Sequence, residues 1–326
     1  MTHETSMPGI YVGIDVAKDK LDLAQSDADD VLQFENNDRG IAQIVARMTQ
    51  AKPVLIVVES TGGLERPLVT ALLEADLPVS LVHPGRVRNM AKALGIHAKS
   101  DRIDARVLYL FGQKAQPRIH AKRSEKREQL SDLVACRRQL CTTRVQQSNR
   151  RGASHSPAAR KSIDAIITAL DRQIASLDRQ IRRLIDADDD FRDLEKILLS
   201  VPGVGPKLAA ALLADVPELG TIDRQPICAI VGVAPFANES GTIKGQRQIR
   251  GGRAHVRSVL YMGALTAIRC NPLLKDFAKR LQDKGKRQKV ILVAAMRKLL
   301  SLINVMVRDR LTWDQLNVVK KLSNNP

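Results

Sequence analysis

Four acidic residues in the first third of the chain have the type and spacing that divalent-cation chemistry needs. Asp15 lies near the end of one short apolar strand, and Glu59 comes directly after another. Asp101 and Asp104 are separated by three positions at the start of a predicted helix, so their side chains share one face. Taken singly, Asp15 is explained as a turn residue and the helical pair as a cap and a first-turn acid.

Taken together, these carboxylates predict a cation site. A carboxylate at the end of a buried strand is costly unless it is paired or binds a metal. Oxygen ligands favour Mg²⁺ or Mn²⁺, and two such ions about 4 Å apart can stabilise the attacking and leaving oxygens of a phosphodiester. Three basic residues beside the helical pair, Lys99, Arg102 and Arg106, are expected to hold phosphate nearby.

A second group of candidate residues lies far along the chain. Between Ser240 and Arg257 the chain has basic residues but no acid, interleaved with glycines that let a backbone approach phosphates. We expect phosphate contacts from five side chains: Lys244, Arg247, Arg250, Arg253 and Arg257. Ser240 precedes a glycine with no base visible beside it, so the residues alone favour a turn position over a nucleophile.

A glycine-rich turn, Pro202-Gly203-Val204-Gly205, separates two predicted helices. Backbone N–H groups at a helix N-terminus can bind a phosphate, which would make Gly203, Gly205 and Lys207 nucleic-acid contacts. Turns of this kind also join helices without any ligand. The residues alone leave both interpretations open.

Composition points to a polyanionic partner. The chain has 326 residues with 52 Lys and Arg against 35 Asp and Glu, a net charge of +17 that favours nucleic acid. Aromatic residues make up only 3%, which argues against stacking on single-stranded bases as the main binding mode. The apolar run from Val290 stops at Arg297, too short for a membrane helix, and no signal segment is visible. Together with cysteines that lack metal-ligand spacing, this predicts a cytoplasmic protein without membrane contact.

Apolar periodicity predicts the elements that position the acids. Three short strands are followed by alternating helices and strands, in the order β-β-β-α-β-α-β-α over residues 1–120. This order is that of a ribonuclease-H-like α/β domain. Residues 191–326 are predicted to be mainly helical, with a loop-rich insert around the basic glycine segment.

The middle region, residues 121–190, is predicted to hold two long helices. Apolar residues of the second helix repeat at alternating steps of four and three, which is a heptad seam: Ile163, Ile167, Leu170, Ile174, Leu177, Ile181 and Leu184. The seam predicts a coiled coil within one chain or between two. An ordinary amphipathic helix packed on a domain is the alternative.

Several longer sequence motifs resemble those of a known protein family. The chain resembles the DEDD transposases of bacterial insertion sequences, the IS110 family, which includes the Piv-type DNA invertases and the bridge-RNA-guided recombinases. The resemblance rests on stretches that occur in family order over nearly the whole length: YVGIDVAKDKLD, VVESTGG, KSDRIDAR, SVPGVGPKLAAALLA, VGVAPFANESGTIKG, GGRAHVRSVLYMGAL and KVILVAAMRKLL.

This resemblance implies roles that the residues alone do not show. It implies a RuvC-like domain whose metal ligands are Asp15, Glu59, Asp101 and Asp104, and a C-terminal transposase domain whose nucleophile is Ser240. It further implies a coiled coil that mediates assembly, dimers that form a tetramer with a composite site, and a noncoding bridge RNA that pairs with donor and target DNA. A bacterial, nucleoid-associated location is expected with it.

The function expected from these features is site-specific DNA recombination. The chain would insert and excise its own mobile element, cutting and rejoining DNA through a phosphoserine intermediate with Mg²⁺ or Mn²⁺ assistance. One alternative is a metal-dependent, junction-resolving nuclease in which water attacks and Ser240 is not used. A second alternative is a basic nucleic-acid-binding protein without enzymatic activity.

Overall fold

The chain forms two compact units in the computed structural model, Met1–Arg123 and Ser124–Pro326. The structure describes residues 9–96, 100–120, 122, 124–236 and 248–316, together with the backbone of residues 239–240 and 243–244. The long helices expected over residues 121–190 fall in the second unit.

A five-stranded sheet forms the centre of the first unit. Its strands are Tyr11–Val16 (β1), Lys20–Gln25 (β2), Val31–Glu35 (β3), Leu55–Glu59 (β4) and Val79–Val82 (β5). The spatial order is β3-β2-β1-β4-β5, with the first three strands antiparallel and β4 and β5 parallel to β1. The predicted meander followed by parallel strands is therefore confirmed in order and direction.

Helices cover both faces of this sheet. They are Asp38–Ala51 (α1), Arg66–Glu74 (α2), Pro84–Ala93 (α3) and Asp101–Ala115 (α4). Side chains of β1 and β4 alternate between the faces: Val12 and Ile56 pack with α1 and α2, whereas Val57 packs with α3 and α4. Helix α3 was not predicted, because Val87 is its single buried residue and so no apolar period marks it.

The second unit begins with an antiparallel pair of long helices, Glu125–Ala153 (α5) and Pro157–Asp186 (α6). Ser124 and Ser156 cap their N-termini by accepting hydrogen bonds from backbone N–H groups. Three ion pairs fix the register at seven-residue intervals on both helices: Arg137 with Asp178, Arg144 with Asp171, and Arg151 with Asp164.

Only the base of this helical hairpin lies in the core of the second unit, through Leu130, Ile181 and Ile185. Farther out, the predicted seam residues Ile163, Ile167, Leu170, Ile174 and Leu177 are only half-buried. The seam therefore belongs to a two-helix pair that leaves part of its apolar surface exposed.

The remaining elements of the second unit are mostly helical. They are Asp189–Ser200 (α7), Pro206–Asp215 (α8), Arg224–Val231 (α9), Ala254–Cys270 (α10), Pro272–Asp283 (α11) and Gln288–Arg308 (α12), with two-residue strands Pro235–Phe236 (β6), Glu239–Ser240 (β7), Ile243–Lys244 (β8) and Gln248–Ile249 (β9). Strand β6 pairs with β9 and β7 with β8, so the insert expected to be loop-rich contains two small antiparallel ladders.

One described helix, α12, has the length and composition that would allow it to cross a membrane. In this fold, 56% of that stretch is buried, and Leu299, Leu300 and Ile303 are fully enclosed in the core of the second unit. The apolar composition of α12 is accounted for by its place in that core.

Candidate active site

The sheet register places the two strand-end acids side by side. Strands β1 and β4 are parallel with Ile14 opposite Val58, so the next positions along them are Asp15 and Glu59. On its other edge β1 pairs with β2, and there Asp15 lies opposite Asp22. Three carboxylates therefore occupy neighbouring strands at one end of the sheet.

Helix α4 brings the other two acids to the same place. Ser100 caps the helix, accepting a hydrogen bond from the backbone N–H of Ile103 at 3.4 Å, so that Asp101 and Asp104 both lie in the first turn. The helix can approach because β1 contains Gly13. A Cβ at that position would come within 2.1 Å of the Ala105 carbonyl oxygen.

Carboxylate oxygens of Asp15, Asp101 and Asp104 all lie within 4.8 Å of one another. Burial, together with the negative charges of Asp104 and Glu59, raises the pKa of Asp15 to about 6. Three of the four predicted acids therefore lie within 4.8 Å of one another. Glu59 lies at the position next to Asp15 on the neighbouring strand, and its charge acts on Asp15.

These residues fit a divalent cation. A carboxyl group whose pKa is raised by like charges is one that lacks compensating positive charge, which a cation would supply. The donor atoms are carboxylate oxygens, which Mg²⁺ and Mn²⁺ prefer. Asp15, Asp101 and Asp104 would hold such an ion, with Glu59 beside them.

The chain after Glu59 is held by a residue that the sequence analysis missed. Glu65 is 5% exposed, and one of its oxygens accepts hydrogen bonds from the Thr61 N–H (3.1 Å), the Thr61 hydroxyl (2.9 Å) and the Gly63 N–H (2.8 Å). The backbone hydrogen bonds to this carboxylate lower the pKa of Glu65 against the effect of its burial. An acid two residues beyond a polar Ser-Thr-Gly-Gly sequence could have indicated this role.

Two further residues near the acids were also missed, Lys20 and Asp22. The Lys20 ammonium lies 2.6 Å from Asp101 Oδ2 and 3.1 Å from Asp22 Oδ2. Their position could have been found from the meander itself, since an antiparallel β1–β2 pair centred on the turn places Asp22 opposite Asp15.

The basic residues predicted beside the acids differ in their surroundings. Arg102 is exposed on α4, whereas Arg106 donates a hydrogen bond to the backbone carbonyl of Asp29. Lys99 lies outside the described residues. Both arginines are exposed, and Arg106 is in addition held by the backbone of Asp29.

The two glycines of the turn before α8 have different surroundings. Gly203 has a φ of +100°, and a Cβ there would come within 2.5 Å of Ala267 in α10, so close packing already accounts for this glycine. Gly205 caps α8 with open space around it, and Lys207 is exposed. Both residues line a cavity of about 670 Å³.

Two of the predicted phosphate contacts in the basic segment have partners within the protein. The Arg253 guanidinium donates two hydrogen bonds to Glu218, at 2.6 and 2.7 Å, and Arg257 donates one to the Gly251 carbonyl at 2.6 Å. Arg250 is exposed. Lys244 lies in β8, with its side chain outside the described part of the structure, as is all of Arg247.

Ser240 is the second residue of β7 and pairs with Ile243 of β8. Its backbone therefore belongs to a short antiparallel ladder. Its side chain is not among the described parts of the structure.

Comparison with known proteins identifies the family. A model described as a transposase, for the DEDD domain of IS110-type elements, matches residues 12–153, and a model described as "Transposase IS116/IS110/IS902 family" matches residues 195–279. The chain belongs to the IS110 family of transposases. It is therefore an enzyme that recombines DNA, and the first matched stretch contains all four predicted metal ligands.

Individual relatives agree with this assignment to the IS110 family. The pilin gene-inverting proteins of Moraxella bovis and Moraxella lacunata are each 28% identical to this transposase, and each alignment covers 95% of the chain and 99% of the relative. An uncharacterized 43.6 kDa protein of insertion element IS110 from Streptomyces coelicolor is 29% identical over 45% of this chain and 36% of its own length.

Proposed function

We propose that this transposase cuts and rejoins DNA at a cation site formed by Asp15, Glu59, Asp101 and Asp104, with Ser240 as the nucleophile and a bridge RNA as the guide. The observation that carries the proposal is the convergence of three carboxylates, from β1 and α4, within 4.8 Å. Membership in a DEDD transposase family is the second support.

The first unit would act as a RuvC-like domain. Its sheet order, with an antiparallel meander joined to two parallel strands, is the one expected for a ribonuclease-H-like domain. In that arrangement Asp15 and Glu59 lie on adjacent central strands, and α4 supplies the remaining acids.

In the reaction, the Ser240 hydroxyl would lose its proton to water and its oxygen would form a bond to phosphorus, while the bond to the leaving DNA oxygen breaks and that oxygen takes up a proton. The phosphoserine link conserves the energy of the phosphodiester, so that a DNA hydroxyl can later attack it and free the serine. Bound Mg²⁺ or Mn²⁺ would neutralise charge on the phosphate and favour ionisation of the hydroxyl. Asp15 and its neighbours would fix where the scissile phosphate lies.

Nucleic acid would be held by exposed basic side chains outside the acid cluster. Arg102 lies on the same helix as Asp101, and Lys207 and Arg250 are exposed in the second unit. A chain of net charge +17 attracts donor DNA, target DNA and bridge RNA alike. Such a protein would work in the bacterial cytoplasm, associated with the nucleoid.

Assembly would use the α5–α6 hairpin. Its seam is only half-buried within one chain, and Val145 and Ile166 on the same hairpin are 56% and 46% exposed. Packing of one hairpin on another would bury this apolar surface and build the dimers and tetramer that a composite site requires.

The metal-dependent nuclease remains the second candidate function, because the acid cluster alone would equally suit attack by water. The direct test is strand cleavage of DNA flanking the element by full-length protein with its copurifying RNA. Asp15→Asn and Asp104→Asn should abolish cleavage in Mg²⁺ while leaving RNA binding intact, and sequencing that RNA should reveal segments complementary to donor and target. Cleavage at the wild-type rate by both variants would refute the site, and absence of a complementary RNA would refute the guide.

A further inference from the structure

The side chain of Lys20 joins the sheet to α4, the helix that carries Asp101 and Asp104. Lys20 begins β2, and its ammonium lies 2.6 Å from Asp101 Oδ2 in α4 and 3.1 Å from Asp22 Oδ2 in β2. One cation from the chain itself therefore bridges a proposed metal ligand and a neighbouring strand acid.

Asp22 anchors this bridge. It is 3% exposed, and its Oδ1 accepts a hydrogen bond from the Gln33 side chain at 3.0 Å, while its Oδ2 faces Lys20. Asp22 also lies opposite Asp15 in the β1–β2 ladder. A buried carboxylate in that position needs a positive partner, and the ammonium of Lys20 lies 3.1 Å from its Oδ2, which accepts no hydrogen bond from the described residues.

Asp101 is in a different situation. Its side chain is 51% exposed in the first turn of α4, so water can replace the ammonium there at little cost. The two contacts of Lys20 thus differ in burial: Asp22 is 3% exposed, whereas the side chain of Asp101 is 51% exposed although it lies closer to the ammonium.

The ammonium of Lys20 thus contacts one of the proposed metal ligands, Asp101, at an oxygen that a divalent cation would also use.

We propose that Lys20 is a built-in counter-ion of the catalytic site. It holds Asp101 toward the sheet while the site is empty of cations, and it gives up the Asp101 oxygen, but not Asp22, when a divalent cation binds. Lys20 is in this sense a positioning residue that competes with the metal. The inference rests on the proposed cation site.

The test is titration of full-length protein with Mn²⁺, followed by electron paramagnetic resonance, for wild type, Lys20→Met and the control Lys18→Met. Lys18 is an exposed lysine on the same β1–β2 turn, so its variant removes the same charge without a contact to Asp101. Because Mn²⁺ would no longer displace an ammonium, Lys20→Met should bind Mn²⁺ roughly tenfold more tightly than wild type, and Lys18→Met should change binding by less than about threefold.

A second readout separates competition from simple charge removal. Without cations, Lys20→Met should unfold at a lower temperature than Lys18→Met, because Asp22 loses its partner, and saturating Mn²⁺ should restore much of the difference. Equal Mn²⁺ affinity in the two variants, or weaker binding in Lys20→Met, would overturn the proposal while leaving the cation site intact. A wild-type protein that binds no Mn²⁺ in a manner lost on Asp15→Asn would overturn both.

Discussion

Gly13 of β1 lies so close to Ala105 of α4 that a Cβ on the glycine would come within 2.1 Å of the alanine carbonyl oxygen. This contact sets the distance between the strand that carries Asp15 and the helix that carries Asp101 and Asp104. The absence of one side chain therefore determines whether the three acids can meet.

Substitution of Gly13 should consequently damage both stability and the site. Gly13→Ala forces α4 away from β1, and overpacking of this kind costs about 1–3 kcal/mol or more. Urea unfolding should show the loss, and Mn²⁺ titration should show weakened binding. The control is Gly152→Ala, where a Cβ meets nothing within 4 Å. Unchanged Mn²⁺ affinity in Gly13→Ala would show that this glycine does not position the acids.

The raised pKa of Asp15 predicts a pH dependence of stability. Because this pKa is about 6 in the folded chain against an ordinary aspartate value of 3.8, ionised Asp15 destabilises the cation-free fold above pH 6, and the penalty fades as pH falls toward 4. Asp15→Asn should therefore be more stable than wild type at pH 7.5 without cations. Thermal unfolding from pH 7.5 to 5 should show this advantage shrinking, and an advantage independent of pH would argue against the raised pKa.

The hairpin side chains Val145 and Ile166 should affect assembly rather than folding. Each is about half exposed or more, so lysine at these positions adds charge to a surface that we propose packs on a second copy. Val145→Lys with Ile166→Lys should lower the mass measured by light scattering after size-exclusion chromatography. Val290→Lys, at a residue 52% exposed on α12, is the matched control. An equal effect of both sets, or none, would count against the hairpin as the assembly surface.

Arg250 and Arg253 should respond differently to removal of their charge. Arg250 is exposed, so Arg250→Ala should reduce the slope of log affinity for DNA against log salt by up to about 1. Arg253 is engaged with Glu218, so Arg253→Ala should instead cost about 1–2 kcal/mol of folding free energy. Salt titrations and urea unfolding of both variants distinguish the roles, and a full unit of slope lost in Arg253→Ala would make it a phosphate contact after all.

Much of the first unit could be predicted because its strands are short apolar runs separated by polar turns. The predicted order of strands and helices matches the observed one except for the additional helix α3. The sequence did not predict helix α3, because this helix buries only Val87. It did not predict the ladders around Ser240, because two-residue strands are too short to show a periodic pattern.

The candidate site was predictable in part for the same reason. Strand ends and helix starts locate Asp15, Glu59, Asp101 and Asp104 along the chain, and parallel strands bring such ends together. The partners of single side chains depend on register and packing, which sequence patterns do not specify. The bridge from Lys20 to Asp101 and the pairing of Arg253 with Glu218 could therefore not be predicted from the sequence.

The most direct test of the proposed mechanism is to trap the protein–DNA link on Ser240. Full-length protein with its RNA is incubated with strand-labelled DNA in Mg²⁺, denatured, digested with protease and analysed by mass spectrometry. We predict a nucleotide attached to the peptide that contains Ser240, absent from Ser240→Ala and Asp15→Asn, with Ser240→Ala still binding Mn²⁺, RNA and DNA. Cleaved DNA with free ends and no modified peptide would contradict the account and identify a nuclease in which water attacks.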